Sequence, residues 1–432
     1  MFKGIRWLGL AVLTAAGLAV PLTAFATNGY FLIGFGTKSR AMGGVGIGYA
    51  ASPTAAAVNP ANMVDMGTRV GIDAALFNPK RRSACCVGSG GVVSGSNLFL
   101  IPTMGGAYKF NRKMSIGFAA IGAGANTRFE GNLFFDDPTL PGLQPDRSGA
   151  VLGVNLIQMI MAPGAAYRLD KHNAVGASLQ LGVQTFRASG LNDAFRPFSR
   201  DPNNLTERGN DWSYGAGIRL GWRSVFFDKR LTLGLAYASK VYMTRFHKYS
   251  GLFADEGGFD IPENFGAGLS IKPTDKLVLA FDVVKILYSD VPSVGNPALP
   301  ISSDPANVVD KLGHRNGPGF GWKDQTVYKV GAEYHYNPKW TLRVGYNYGK
   351  TPIRENASLE FNVLAPATTE QHYTAGVTYT INKHHEVSFA GTYAQRNKLS
   401  TTIDGTTQLP FSGDVETELW IRTLEFGYQF KF

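Results

Sequence analysis

The chain has 432 residues, a formal net charge of +10, 52 glycines and 12% aromatic residues. After the amino-terminal leader, no stretch is apolar over the roughly 18 consecutive residues that a membrane helix needs, which argues against helical membrane spans. The basic residues are spread through turns and loops without an aromatic–basic array, so we expect no nucleic-acid partner; an anionic lipopolysaccharide surface is the more natural one.

The first 26 residues predict a cleavable secretory signal. Lys3 and Arg6 form a charged start, residues 7–20 form an apolar run, and the segment ends on Ala-Phe-Ala, a small-x-small cleavage site. The alternative, a membrane anchor, is disfavoured because the apolar run is short for a membrane span. We therefore expect an exported protein.

Residues 27–67 predict a compact plug. Glycine, alanine and serine dominate this segment, charge is sparse, and no apolar–polar alternation lasts more than a few residues. The plug closes on Asn59, Pro60 and Ala61, where Pro60 fixes its own φ and biases Asn59 toward an extended conformation. We expect the Asn59 side chain to bond backbone groups that would otherwise be unpaired, and to hold the plug against the third strand described below.

Residues 68–432 predict a membrane β-barrel, because apolar and polar residues alternate with a period of two. The apolar faces end in Tyr and Trp, as in the aromatic girdles of lipid-facing barrels. We expect fourteen strands, beginning near residues 68, 98, 113, 149, 172, 210, 230, 262, 275, 324, 339, 370, 384 and 416.

Short and long connections alternate strictly, as expected of an even-stranded outer-membrane barrel with short periplasmic turns and long outer loops. The short turns use Asn, Asp or Pro to reverse the chain. The predicted long loops are 80–97, 130–148, 190–208, 246–261, 290–322, 351–369 and 397–415.

The last predicted strand ends the chain on Phe432. An unpaired apolar edge strand is an aggregation hazard that barrel closure removes. Many outer-membrane barrels end on an aromatic residue that their assembly machinery recognises, so we interpret Phe432 as an assembly signal.

No residue pattern predicts catalysis, a metal site or a cofactor. The seven histidines lie mostly in predicted turns and loops, and no Gly-x-Ser-x-Gly elbow is present. Cys85 and Cys86 are adjacent, and a bridge between neighbours is strained, so we expect no structural disulfide.

Two predicted outer loops carry many apolar residues, and apolar patches that face water often bind a ligand. We interpret them as the walls of a substrate-binding groove; the alternative is that the loops pack against each other. The groove residues are Leu191, Phe195, Phe198, Phe246, Leu252 and Phe253.

The third strand carries small residues where side chains normally pack. Glycine inside a strand often marks a bulge, a bend or a close approach. We interpret Gly122, Gly124 and Asn126 as a strand kink that serves as a lateral exit; the alternative is that they make room for the plug.

The chain resembles the FadL family, the outer-membrane transporters of long-chain fatty acids and aromatic hydrocarbons. The resemblance covers the whole mature chain. It is carried by residues 39–44 (Ser-Arg-Ala-Met-Gly-Gly), 59–61 (Asn-Pro-Ala), 101–102 (Ile-Pro), 272–275 (Lys-Pro-Thr-Asp) and 336–343 (Tyr-Asn-Pro-Lys-Trp-Thr-Leu-Arg).

The resemblance implies a fourteen-stranded barrel that is plugged by an amino-terminal hatch. It implies that a hydrophobic ligand lands between two outer loops, enters a pocket inside the barrel, and leaves sideways into the membrane at an inward kink of strand three. Arg187 is the nearest basic candidate for that pocket, but alternation places it on the lipid side. We expect a monomer in the outer membrane.

Two other functions remain open at this point. An open porin for small polar solutes is disfavoured by the plug and the apolar loops, and bilayer conductance would distinguish it. A barrel enzyme that acts on lipids is disfavoured by the missing catalytic motif, and a lipid hydrolysis assay would distinguish it.

Overall fold

The structure is a computed structural model that describes residues 28–50, 52–85, 91–130, 151–191, 195–354, 359–403 and 413–432. The predicted signal at residues 1–26 and Cys86 lie outside the described residues, as does nearly all of the predicted loop 130–148.

Fourteen antiparallel strands form one closed barrel, as predicted. Each strand pairs with its neighbours in sequence, and β14 pairs back onto β1 from Arg69 opposite Lys431 to Ala84 opposite Glu416. The strands are β1 Arg69–Ala84, β2 Phe99–Lys109, β3 Met114–Asn126, β4 Val151–Met161 with Gly164–Arg168, β5 Asn173–Ser189, β6 Asp211–Phe226, β7 Leu231–Ala238 with Tyr242–Met243, β8 Asn264–Ile271, β9 Leu277–Ile286, β10 Gln325–His335, β11 Trp340–Gly349, β12 Gln371–Thr380, β13 His385–Ile403 and β14 Gly413–Lys431.

The tight turns lie at one end of the barrel and the long connections at the other, as the alternation predicts. Asn111 shows how a turn closes, because its side-chain oxygen accepts hydrogen bonds from the backbone N–H groups of Lys113 and Met114, both at 2.8 Å. The predicted loop 397–415 is wrong in its bounds. β13 continues to Ile403 and β14 starts at Gly413, because ladder pairing extends beyond the aromatic girdle into polar sequence.

The apolar faces point outward and the polar faces point inward, the reverse of a soluble protein. On β11, Leu342 and Val344 are exposed whereas Arg343 and Asn347 are buried. On β14, Leu424 is 69% exposed and Glu425 is 5% exposed. This pattern suits a barrel whose exterior meets lipid. Within the described ranges, the helices are all too short or too polar to cross a membrane.

Residues 28–66, which we call the hatch, are packed inside the barrel. Their helical turns are α1 (Thr37–Arg40) and two 3₁₀ segments, Pro53–Ala57 and Pro60–Asp65. α1 contacts β12–β14, and the 3₁₀ segments contact strands from β1 to β6, so the hatch meets opposite sides of the wall. Small wall residues permit this approach: a Cβ at Gly345 would lie 2.1 Å from the Gly43 nitrogen.

Candidate functional site

Three charged side chains on the wall hold the backbone of the hatch. Asp282 on β9 accepts hydrogen bonds from the N–H groups of residues 46, 47 and 48 at 2.7, 2.9 and 3.4 Å. Lys329 on β10 donates to the carbonyls of Ile33 and Gly44 at 2.8 and 3.2 Å. Arg219 on β6 donates to the Val58 carbonyl at 3.0 Å. Charge-assisted bonds of this kind are stronger than neutral ones.

The opposite side of the hatch is held by a hydrogen bond to β1 and by ion pairs to β13 and β14. The Thr37 hydroxyl donates to Asp73 at 2.6 Å. Lys38 pairs with Glu386 at 2.6 Å. A buried pair between Arg40 and Glu425 has a 3.4 Å separation. The hatch is therefore bound by polar contacts on this side, whereas residues such as Met63 and Val64 pack in a buried apolar cluster with β2–β5.

The carboxyl-terminal end of the hatch is latched through Asp65, which pairs with Arg168 on β4 and Arg223 on β6. Burial opposes ionisation of Asp65, but the guanidinium groups of Arg223 and Arg168 outweigh it and hold the pKa of Asp65 below its ordinary value of 3.8. Asp65 therefore stays charged and paired at neutral pH.

The Asn59 side chain bonds the hatch to β6. Its amide donates to the carbonyls of Ile47 at 2.9 Å and Trp222 at 3.0 Å, and its oxygen accepts from the Ala61 N–H at 3.1 Å. The expectation that Asn59 holds the hatch against β3 is therefore wrong. Pro60 and Ala61 are buried beside it, at the start of the second 3₁₀ segment.

A lower cavity of about 860 Å³ lies between the hatch and β3–β10, and part of it is open to solvent. Its walls are mainly apolar, from residues such as Phe31 and Ile47, yet Arg219, Asp282 and Lys329 also line it. The Nε of Arg219 is buried and has no hydrogen-bond partner among the described residues. The cavity thus offers apolar surface beside an incompletely satisfied guanidinium group.

An upper cavity of about 700 Å³, also partly open, lies under the long loops. Aromatic side chains from β5 and two loops form much of its wall, and Tyr30 of the hatch forms its floor. The Arg81 side chain also faces it. The aromatic lining is Tyr30, Phe186, Phe253, Phe259, Phe320 and Trp322.

The wall beside the upper cavity contains a gap between β2 and β3. Their ladder runs from Lys109 opposite Ser115 only as far as Thr103 opposite Ile121. Across the described residues of both strands, no ladder pair joins Phe99–Pro102 to Gly122–Asn126. Pro102 has no N–H to donate, which helps to end the ladder there. Above the gap, the Gly95 N–H donates to the Arg128 carbonyl at 2.7 Å and closes the wall again.

The predicted kink residues Gly122, Gly124 and Asn126 fall in this gap. Gly124 has a φ of 151° and lines the upper cavity with Asn126. Register places Gly122 on the outward face, because it lies opposite the exposed Met159 of β4, whereas Gly124 is buried. Ala125 instead shares the inward face and packs against a buried cluster that contains Leu32 and Phe99.

The predicted groove residues lie in the packed core of the outer loops. Five of them are buried, with Phe246 fully enclosed, and Leu252 is half-buried. Phe253 reaches the upper cavity, whereas Leu191, Phe195 and Leu252 line a smaller space of about 320 Å³ beneath the loops. The loops thus pack against each other and also wall apolar cavities.

Sequence reasoning missed the inward charges that bind the hatch, namely Asp282, Lys329 and Arg219. The available signal was a charged residue at an inward position of an otherwise apolar strand, as in the β9 segment Phe281-Asp282-Val283. Arg187 is exposed on the outward face of β5, as alternation predicts. Cys85 is buried, and since Cys86 lies outside the described residues, the expectation of no structural disulfide stays a prediction.

In the part of the chain that the structure describes, no group of three or more His, Cys, Asp or Glu side chains is arranged to hold a metal ion. Phe432 is 61% exposed at the end of β14, where its ring meets that of Phe430 edge to face at 4.7 Å. Its N–H donates to the Thr68 carbonyl at 3.0 Å.

Residues 22–430 match the model of the family described as outer membrane protein transport protein (OMPP1/FadL/TodX). The crystal structure of the P. putida toluene transporter TodX superposes with a TM-score of 0.67 and 20% identity, covering 93% of this chain and 99% of that one. A Pseudomonas aeruginosa FadL homologue gives 0.66 and 14%, covering 94% and 100%.

A curated relative, the long-chain fatty acid transport protein of Escherichia coli O6:H1 strain CFT073, is 24% identical over 110 residues. That match spans 26% of this chain and 24% of the relative, about a quarter of either protein. The structural matches agree with the closed barrel described above.

Proposed function

This chain belongs to the OMPP1/FadL/TodX family of outer membrane transport proteins, and we propose that it takes up hydrophobic compounds by passive diffusion with a lateral exit into the membrane. The observation that carries this proposal is the upper cavity, which has an aromatic lining and borders the gap between β2 and β3. A ligand that leaves through this gap passes from an apolar cavity to lipid without crossing water.

The energetics favour such a route for an apolar solute. Each methylene that leaves water for an apolar site contributes about 0.8 kcal/mol, so release into the periplasm would return that free energy. Lateral release retains it. The polar contacts that fill the lumen around the hatch close the straight path through the barrel in this conformation, which disfavours an open porin.

The same family resemblance leaves a fatty acid and a hydrocarbon as candidate ligands, and the lower cavity favours the acid. Arg219 and Lys329 place two positive charges there against the single carboxylate of Asp282. A ligand carboxylate can take the unpaired Nε of Arg219 and compete with the hatch carbonyls for both cations. We therefore propose a long-chain fatty acid as the ligand of this cavity.

The lateral route is tested by filling the gap from inside. Ala125→Phe adds a ring to the inward face of β3 at the cavity wall, and we expect uptake to fall while barrel yield and ligand binding persist. Ala267→Phe is the matched control, because it adds the same ring to an outward-facing position of β8. Normal uptake in Ala125→Phe would reject the gap as the exit.

The ligand class is tested separately by Arg219→Met and Lys329→Met. We expect uptake of palmitate to fall about tenfold or more in both variants, since a charge-assisted hydrogen bond contributes roughly 1.5–3 kcal/mol. Uptake of toluene should change little. Equal losses for both compounds would indicate a damaged hatch rather than a lost carboxylate site.

We further propose that the barrel works as a monomer in a lipopolysaccharide-containing membrane. Its assembly would depend on recognition of Phe432 by the barrel assembly machinery, because that residue ends a strand whose exposed face is aromatic and apolar.

A further inference from the structure

The outward face of β1, β13 and β14 carries a cluster of basic residues toward the end of the barrel that bears the long loops. We call this cluster the basic patch. Register aligns its members across neighbouring strands: Lys80 lies opposite Trp420, and Arg422 lies between Asn78 and Tyr393. The basic patch consists of Lys80, Arg82, Arg396, Lys398 and Arg422.

The basic patch lies at the upper edge of the lipid-facing band. Arg422 stands ten residues above the terminal Phe432. At about 3.3 Å per residue and a strand tilt of about 40°, that distance corresponds to roughly 25 Å along the barrel axis, the height of the apolar band of such barrels. The exposed Leu424 and Phe426 lie directly below, and Tyr393 and Trp420 mark the interface.

The charges in the basic patch are only partly neutralised. Arg396 pairs with Glu418 and lies over the Trp420 ring at 5.4 Å, while Lys398 and Arg82 share Glu416. Among the described residues, the five cations of the basic patch thus face two carboxylates, those of Glu416 and Glu418. Within the described ranges, neither Lys80 nor Arg422 has a carboxylate partner within the 4.0 Å limit of an ion pair.

We propose that the basic patch binds the phosphorylated headgroup of lipopolysaccharide in the outer leaflet. The excess positive charge complements the phosphates on the glucosamine disaccharide, and arginine forks match phosphate oxygens in a bidentate manner. The acyl chains of the same molecule then run down the apolar face formed by Leu76, Leu424 and Phe426. The basic patch thus lies at the height of the lipid phosphates, and the apolar face below it lies at the height of the acyl chains.

A lipid bound there would lie along the β14–β1 seam, where the first and last strands of the barrel pair. The patch residues are on rigid strands, so binding costs little ordering of the protein. Only β2 separates the β1 edge of the basic patch from the gap between β2 and β3, and the lipid would lie on the exterior wall. Lipid binding is therefore measured directly on the purified barrel rather than through uptake.

The test uses the full-length barrel in dodecyl maltoside and fluorescently labelled lipopolysaccharide that carries both lipid A phosphates. Lys80→Gln with Arg422→Gln removes the two unneutralised charges, and we expect affinity to fall about tenfold. The matched control is Lys109→Gln with Lys113→Gln, which removes two exposed charges at the opposite rim. Heat modifiability confirms that each variant is folded.

Three results would overturn the proposal. The control variant is expected to bind within about twofold of the wild-type affinity. The first contrary result is that the Lys80/Arg422 double variant also binds within that range. The second is equal binding of dephosphorylated lipopolysaccharide. The third is competition by millimolar inorganic phosphate, which would indicate a site for free phosphate. Arg422→Lys should retain most of the lipopolysaccharide binding, since it keeps the charge. If the Lys80/Arg422 double variant folds poorly, the single variant Lys80→Gln provides a milder test.

Discussion

Asp282 is the wall residue whose removal most directly tests how the hatch is held. Its carboxylate accepts three backbone N–H groups of the hatch, two of them at 2.9 Å or less. Asp282→Ala leaves those two donors unpaired inside the barrel, at about 1.5 kcal/mol each after allowing for water entry from the lower cavity. A loss of about 3 kcal/mol raises the local opening equilibrium of the hatch about a hundredfold.

Hydrogen exchange measured on hatch peptides reports this change directly. We expect amides of residues 46–48 to exchange about a hundredfold faster in Asp282→Ala, with a smaller effect in Asp282→Asn, whose amide oxygen still accepts one bond. Asp275→Ala is the control, because it removes a 98% exposed carboxylate from a turn of the same sheet. Unchanged exchange in Asp282→Ala would refute the idea that this carboxylate holds the hatch.

Three further predictions concern the latch, the topology and assembly. Because the pKa of Asp65 is lowered, its ion pairs are complete above the ordinary carboxyl pKa of 3.8 and weaken as the pH falls through the folded pKa. Protease cleavage near the carboxyl-terminal end of the hatch should therefore increase in acid for the wild type. Asp65→Asn should be cleaved equally at neutral and acid pH. In a Cys85→Ser/Cys86→Ser background, an impermeant thiol reagent should label Asn203→Cys in intact cells and should not label Lys339→Cys. The opposite labelling pattern would show that the barrel has the opposite orientation in the membrane. Deletion of Phe432 should reduce the heat-modifiable barrel fraction, and normal yield would show that Phe432 is only one more lipid-facing residue.

The sequence by itself determined the barrel. Side chains of a strand alternate between its two faces whatever its partner is, so the outward aromatic faces, the number of strands and the order of short and long connections follow from local pattern. The turn residues act locally too, as Asn111 does within three residues of itself. These features required no knowledge of which distant segments meet.

Only the tertiary structure decided the features that depend on distant pairs. Alternation predicts that Asp282 faces inward, but it does not predict that the carboxylate accepts hydrogen bonds from the N–H groups of the hatch segment 46–48. Glycines suggested a kink in β3, whereas the gap is also bordered by Pro102 on β2, and the inward residue is Ala125 rather than Gly122. The Asn59 bond to β6 was unpredictable for the same reason: hydrogen-bond partners inside a closed barrel are fixed by how hatch and wall fit together, and local sequence carries no record of that fit.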